Sequence, residues 1–142
     1  MRQAASLTMA GREWIVEAYG CDAVALADLD KLKSVFTGLI AGLSLQPVGE
    51  TSWHRFPGAG GITGLCLLAE SHLACHTFPE YGTLCLNLFC CRPRPEWDFT
   101  AFLTRELSAA SVSVRRIERP YKNEPENRQL PELRSADHIP LV

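Results

Sequence analysis

The sequence predicts an α+β fold, a two-layer sandwich in which an antiparallel sheet has two helices packed on one face. Three observations lead to this fold class. Several short segments are rich in β-branched, aromatic and other apolar residues, as strands are. Two longer segments carry apolar residues at helical spacing, so each has one face to bury against a sheet. Residues 67–91 have the form of a β-hairpin, which makes its two strands antiparallel neighbours.

The first half of the chain supplies a strand, a helix and two more strands. Residues 13–19 alternate between two faces and predict a strand. Residues 28–43 carry one apolar stripe at helical spacing, and Asp28 is suited to be the N-cap. Turn-forming residues then separate two segments, 51–56 and 62–69, which predict the second and third strands.

The hairpin of residues 67–91 contains a four-residue loop at 79–82. A loop of even length pairs Phe78 with Thr83 and so fixes the register of the two strands. Because side chains alternate along a strand, each later position of the hairpin is thereby assigned to one face of the sheet.

This register brings several reactive groups to one region. Cys91 falls on the same face as His76, whereas Cys90 points away. Cys91 also lies about opposite Glu70 and Ser71, so a hydroxyl, an imidazole and a thiol are expected to converge.

The second half of the chain supplies a helix, a strand and a tail. Pro95 is expected to begin the second helix, whose apolar stripe continues to Ala110. Residues 111–117 alternate and predict the last strand. Residues 120–142 are rich in Pro, Glu, Asn and Arg and predict a mobile tail. A single domain is expected over residues 1–119.

Composition indicates an ordinary cytoplasmic globular protein. The 142 residues are 46% hydrophobic and 21% charged, with a formal net charge of -2. This balance does not favour nucleic acid as a partner. No apolar run approaches the roughly 18 residues that a membrane span needs, and the N-terminus lacks the apolar core of a signal peptide. The six cysteines are therefore expected to stay reduced.

One motif is long enough to be specific. The string ESH-x3-HT-x-PEYG begins at Glu70, inside GITGLCLLAESHLACHTFPEYG, and Cys91 follows it. The chain resembles the small prokaryotic S-adenosylmethionine decarboxylase proenzymes from about Gly11, through Phe56, to Cys91. The resemblance implies the two-layer fold, S-adenosylmethionine as substrate, and homodimers with active sites shared across subunits. It also implies that the product donates aminopropyl groups for the synthesis of polyamines such as spermidine.

The resemblance implies that the chain makes its own cofactor. The Ser71 hydroxyl would attack the carbonyl of Glu70, and the resulting ester would break to leave a pyruvoyl group at position 71. The ketone of that group would then condense with the substrate amine. Family similarity assigns His76 as the base for processing, Thr63 as a hydroxyl that binds the intermediate, and Cys91 as the proton donor in decarboxylation.

The resemblance also implies a substrate site. Phe56 and Phe78 match the family's aromatic wall, and Glu80 matches its ribose-binding acid. The chain departs from the family's usual residues at four positions: Thr63 for serine, Phe78 for tryptophan, Asn87 for aspartate and Arg92 for glycine.

Other functions remain open on sequence alone. A pyruvoyl-dependent arginine or ornithine decarboxylase could use the same scaffold, and an uncleaved relative could act as a regulator. Ser71 could be an ordinary strand-end serine, and His76 a core histidine.

The sequence disfavours two further kinds of site. The glycine-rich stretch at 57–61 leads into a strand rather than a helix, so a phosphate site is disfavoured there. A metal site at His76, Cys85, Cys90 and Cys91 ranks last because no paired CxxC spacing exists, and no metal is expected.

Overall fold

A computed structural model describes residues 10–122 of the chain. These residues form a six-stranded sheet of order β2-β3-β4-β5-β1-β6, in which every neighbouring pair of strands is antiparallel. The strands are β1 Ala10–Tyr19, β2 Ser52–Arg55, β3 Ile62–Leu68, β4 Ser71–Phe78, β5 Thr83–Cys90 and β6 Ser111–Pro120. The helices are α1 Ala23–Leu26, α2 Leu29–Gly42 and α3 Phe99–Leu107, with a 3-10 turn at Pro79–Tyr81. The predicted α+β fold is confirmed.

The two longer helices begin at acidic caps. Asp28 accepts hydrogen bonds from the backbone N–H groups of Asp30 and Lys31 at the start of α2. The prediction that Pro95 begins the second helix was wrong, because α3 begins at Phe99 and is capped by Asp98. The extra helix, α1, has only four residues, which is too short to show a helical period in the sequence.

The core lies between the helices and one face of the sheet. Val16 of β1, Leu73 of β4, Leu39 of α2 and Leu103 of α3 are all fully buried and belong to one apolar cluster. Complete burial of an aliphatic side chain contributes about 1.5–3 kcal/mol, so this apolar layer holds the helices on the sheet.

The hairpin register agrees with the sequence prediction. Phe78 pairs with Thr83, and the loop between them contains the 3-10 turn. Gly82 ends this turn at a φ of 64°, a left-handed conformation that glycine adopts without strain. The faces assigned to the later hairpin residues therefore follow as predicted.

The other face of the sheet has no helix over it among residues 10–122. It exposes large apolar side chains, including Leu65 (53%), Leu67 (59%) and Ile117 (41%). Leu65 and Leu67 are neighbours on β3, whereas Ile117 lies on the edge strand β6. Exposed apolar side chains that lie together, as on β3, are typical of an interaction site.

The chain ends lie partly outside the described residues. β6 continues to Pro120, three residues beyond the predicted end at 117. Residues 1–9 and most of the predicted tail, at 123–142, lie outside, so the division into a domain and a tail remains a prediction. Within residues 10–122, no helix is long and apolar enough to cross a membrane.

Candidate active site

The bond between Glu70 and Ser71 lies at the tight turn that joins β3 to β4. Leu68 pairs with Ser71, so only two residues connect the strands. The carbonyl oxygen of Glu70 accepts a hydrogen bond of 3.3 Å from the backbone N–H of Cys91, which follows β5. The turn is therefore fixed to the end of β5 through the oxygen of the carbonyl group that Ser71 would attack. We call Glu70, Ser71 and Cys91 the scissile end of the site.

The hydroxyl of Ser71 is directed toward the core rather than toward the Cys91 thiol. Ser71 pairs with Cys90, and its Oγ donates to Cys90 Sγ at 3.6 Å. Cys90 is fully buried beneath the helices, whereas Cys91 is half-buried. The prediction that Cys90 points away from the His76 face is confirmed. The expected convergence of hydroxyl and thiol is wrong for the uncleaved chain, because alternation places Ser71 on the core face of β4.

Two arginines bind the side chain of Glu70. Arg92 Nε lies 2.6 Å from Oε1 of Glu70, and the Arg94 guanidinium lies 3.7 Å from Oε2. Arg94 is anchored further by donating a hydrogen bond of 3.2 Å to the carbonyl of Ser44. Sequence reasoning missed these contacts. Their only signal was that Arg92 stands where the family usually has glycine.

His76 and Thr63 form a second polar pair at the other end of β4. They face each other across the β3–β4 ladder, and Thr63 Oγ1 lies 3.0 Å from His76 Nδ1. The alternative that His76 is a core histidine is wrong, because the ring lies on the exposed face of the sheet. His76 follows Ser71 by five positions, or about 16 Å along a strand at roughly 3.3 Å per residue. The imidazole therefore does not reach Ser71 within one chain.

A cavity of about 570 Å³ adjoins this pair and falls in the size range of small-molecule sites. Its lining contains all five predicted residues of this region: Phe56, Thr63, His76, Phe78 and Glu80. Phe56 and Phe78 are 50% and 39% exposed, so both rings are free to contact a ligand rather than filling the core. We call these five residues the histidine end of the site.

A neighbouring depression of about 680 Å³ beside α1 shares Glu80 with this cavity. Two of its three charged groups already have partners, since Arg55 donates to the carbonyl of Ala27 and Asp28 caps α2. The smaller cavity is therefore the better candidate for a catalytic site, because its lining includes the imidazole of His76 and the hydroxyl of Thr63.

A hydrogen-bonded chain crosses the exposed face beside the scissile end. His72 Nε2 lies 3.0 Å from the Asn87 amide oxygen, and the Asn87 amide nitrogen donates at 2.7 Å to Glu13. Glu13 also accepts from Arg119 at 2.6 Å. The Asn87 hydrogen bond is the largest cause that lowers the pKa of Glu13. An aspartate at 87 could not donate to Glu13, so the asparagine found there suits this neighbour.

Burial raises the pKa of two cysteines, Cys75 of β4 and Cys85 of β5. Desolvation raises the pKa of Cys75 to about 12, so its thiol stays protonated in the core. Burial, together with the nearby charge of Glu17, raises the pKa of Cys85. The four-residue metal set considered above does not form, because Cys90 points into the core while Cys85 points to the opposite face. In the part of the chain that the structure describes, no group of three or more His, Cys, Asp or Glu side chains is placed to hold a metal ion.

Comparison of the sequence with known proteins identifies relatives over most of its length. A sequence profile described as S-adenosylmethionine decarboxylase matches residues 12–120. A protein from Moorella thermoacetica named S-adenosylmethionine decarboxylase proenzyme is 36% identical over 112 residues, which are 77% of this chain and 86% of that protein. A protein of the same name from Acetivibrio thermocellus is 31% identical over 118 residues, covering 81% of this chain and 92% of that protein.

The fold is similar to that of a solved structure. The adenosylmethionine decarboxylase from Aquifex aeolicus superposes with a TM-score of 0.67, covering 82% of this chain and 96% of that chain. The two sequences are 21% identical, so this similarity concerns the fold alone. It agrees with the two-layer arrangement described above.

Proposed function

The chain belongs to the S-adenosylmethionine decarboxylase family, and from this premise we propose that it decarboxylates S-adenosylmethionine with a pyruvoyl group made from its own Ser71. Membership confirms the family predicted from the ESH-x3-HT-x-PEYG string. The roles of individual residues in processing, substrate binding and proton donation are proposals that the geometry supports.

The observation that carries the proposal is the hydrogen bond from the Cys91 backbone N–H to the Glu70 carbonyl oxygen. Attack by the Ser71 hydroxyl places negative charge on that oxygen, and a fixed N–H donor stabilises it. The resulting ester bond joins the Glu70 carbonyl to Ser71 Oγ and leaves the Ser71 nitrogen as a free amine. Loss of the Ser71 α-proton then expels Glu70 as a carboxylate.

The proton acceptor for that step is proposed to come from a second subunit. His76 is suited to the role because imidazole accepts protons near neutral pH, and Thr63 orients it through Nδ1. His76 lies at the opposite end of β4 from Ser71 in the same chain. A partner chain is therefore needed to supply the imidazole at this position.

A homodimer solves this separation. In such a dimer, the exposed sheet faces of two chains would pack against each other about a two-fold axis perpendicular to the strands. The histidine end of one chain would then lie over the scissile end of the other. The same contact would cover Leu65 and Leu67, which are otherwise exposed to water. Each dimer would then contain two complete sites, each built from both chains.

The combined site suits S-adenosylmethionine. A pyruvoyl group at position 71 supplies an electron-withdrawing ketone that takes up the electrons released with CO2. Phe56 and Phe78 provide aromatic faces for the adenine ring and the sulfonium cation. Glu80 provides a carboxylate acceptor for the ribose hydroxyls. Cys91, which is half-buried just after β5, is the proposed donor of the proton that replaces CO2.

The product would be an aminopropyl donor for polyamine synthesis. This use of the product and a cytoplasmic location remain predictions. No feature of residues 10–122 favours arginine or ornithine over S-adenosylmethionine. Those two amino acids are therefore tested as alternative substrates.

Intact mass and CO2 release together test the proposal. Freshly purified full-length protein should appear as two chains, residues 1–70 and 71–142, the second with a blocked N-terminus. The same preparation should release labelled CO2 from S-adenosylmethionine and not from arginine or ornithine. A single uncleaved chain that releases no CO2 would support the alternative that the protein is an uncleaved, non-enzymatic regulator. Release of CO2 from arginine or ornithine alone would show that the substrate is that amino acid.

A further inference from the structure

The side chain of Glu70 is held by two cations although it carries one charge. Arg92 and Arg94 both approach its carboxylate, at 2.6 and 3.7 Å. Self-cleavage creates a second carboxylate on the same residue, at its backbone carbonyl carbon. The region therefore has two positive and one negative charge before cleavage, and two of each afterwards.

The arginines differ in how strongly water screens them. The Arg92 side chain is 73% exposed, so its contact with Glu70 contributes little by itself. The Arg94 side chain is 16% exposed and is fixed by the Ser44 carbonyl. A charge in this less hydrated position acts more strongly on a carboxylate that forms nearby.

Arg94 also has unused binding capacity in the uncleaved chain. Its Nε is buried and has no hydrogen-bond partner among the described residues, and the same holds for Oε2 of Glu70. Buried donors of this kind are rare because leaving one unpaired costs free energy. The carboxylate that cleavage creates at the backbone of Glu70 would supply the missing acceptor.

We propose that Arg92 and Arg94 are positioning residues for self-cleavage, which neutralise Glu70 in the precursor and bind the carboxylate that cleavage creates on it. This rests on the proposed self-cleavage at Ser71. The step concerned is the elimination. The base removes the Ser71 α-proton, the electrons form a Cα–Cβ double bond, and the Cβ–Oγ bond breaks with its electron pair passing to the Glu70 carboxylate. Water then hydrolyses the remaining enamine, after its tautomerisation, to the ketone with release of ammonia.

Without the arginines, the side-chain carboxylate of Glu70 would oppose the charge that develops on its own backbone carboxylate. The ester would still form, because the Cys91 N–H and the Ser71 hydroxyl are unchanged. Its breakdown would be slow. Loss of the arginines should therefore accumulate an ester, whereas a mere packing defect would leave an intact peptide bond.

The test follows cleavage of freshly translated full-length protein by intact mass, with and without hydroxylamine. Arg94→Gln should slow cleavage about tenfold, equivalent to about 1.4 kcal/mol, and hydroxylamine should release a 1–70 fragment ending in a hydroxamate. Arg94→Lys should recover part of the rate, and Arg92→Gly should have a smaller effect. Arg116→Gln is the matched control, since Arg116 forms an exposed ion pair with Glu96 at 3.2 Å.

A double variant separates charge from folding. If Arg94 acts by neutralising Glu70, then Glu70→Gln combined with Arg94→Gln should cleave faster than Arg94→Gln alone. The proposal is overturned if Arg94→Gln cleaves at the wild-type rate, if lysine gives no rescue, or if the two substitutions slow cleavage additively. Failure of wild-type protein to cleave would instead reject the proposed function itself.

Discussion

The hydroxyl of Thr63 lies 3.0 Å from Nδ1 of His76, directly across the β3–β4 ladder. This contact leaves the other ring nitrogen of His76 available to face the cavity or a partner chain. It also fixes the orientation of a ring that is otherwise exposed.

Removal of the Thr63 hydroxyl should slow self-cleavage more than removal of its methyl group. Thr63→Ser keeps the contact with His76 and should process at a rate close to that of the wild type. Thr63→Ala should be slower by about 10–100-fold, as expected when a catalytic group loses its orienting partner. The measurement is the cleaved fraction against time, by intact mass.

Thr37→Ala is the matched control for this experiment. Thr37 also donates its hydroxyl, at 3.0 Å, to the Lys33 carbonyl on the surface of α2. Equal processing by Thr63→Ala and Thr37→Ala would show that the Thr63 contact has no role in cleavage.

Co-expression of two inactive variants tests the shared site. Ser71→Ala and His76→Ala chains should each fail to cleave alone. In a mixed dimer, the His76→Ala chain still has its own Ser71 and receives His76 from its partner, so it should cleave. The Ser71→Ala chain should stay intact. Differently sized affinity tags allow the two chains to be distinguished by mass. No cleavage in purified mixed dimers would place both groups in one chain's own site.

The predicted register held because alternation along a strand is a local rule that one turn fixes. With Phe78 paired to Thr83, Cys90 lies opposite Ser71 and points into the core. The same rule places Ser71 with Leu73 on the core face of β4. This parity is why the Ser71 hydroxyl contacts Cys90 rather than converging with the Cys91 thiol.

The contacts of Arg94 with Glu70 and of Asn87 with Glu13 could not be predicted from alternation along a strand. Arg94 reaches Glu70 across 24 sequence positions, and Asn87 reaches Glu13 across 74. Such contacts depend on how long side chains lie on the finished sheet. The departures from the family at Arg92 and Asn87 marked where they would occur, but not what they would touch.

Cys91 should matter for decarboxylation and Cys90 should not. Cys91→Ala should lower kcat/KM about 100-fold, as loss of a general acid does, while leaving a cleaved protein. Cys90→Ala should lose stability, because its fully buried thiol packs in the core, but should keep kcat within about threefold. Steady-state CO2 release on fully cleaved preparations is the measurement. A larger kcat loss in Cys90→Ala than in Cys91→Ala would reverse the assignment.

Glu80 should affect substrate binding rather than cleavage. Glu80→Gln removes a charged acceptor for the ribose hydroxyls and should raise KM about tenfold, since hydrogen bonds to charged groups contribute about 1.5–3 kcal/mol. Cleavage at Ser71 should be unchanged. Glu96→Gln is the control, because Glu96 is 90% exposed in its ion pair and lies outside the cavity. An unchanged KM in Glu80→Gln would remove Glu80 from the substrate site.

The Asn87–Glu13 contact should make stability depend on pH. Glu13 has a lowered pKa in the folded chain, so its contribution is present above its ordinary pKa of 4.5 and is lost as pH falls through the lowered value. Asn87→Ala should therefore cost about 1–2 kcal/mol at pH 7 and less as Glu13 becomes protonated. Urea denaturation of the full chain between pH 7 and pH 3 measures the difference.

Asn87→Asp should show a steeper dependence on pH for a different reason. The carboxylates of Asp at position 87 and of Glu13 would lie as close as the present 2.7 Å contact and would repel each other. This repulsion raises the pKa of one of the two groups. A group whose folded pKa is raised destabilises the fold at high pH, and that cost disappears as pH falls through the raised value. Asn87→Asp should thus be less stable than Asn87→Ala at pH 7, and the gap should narrow on acidification. A difference that stays constant from pH 7 to pH 3 would show that Asn87 acts through packing and that the charge on Glu13 is immaterial.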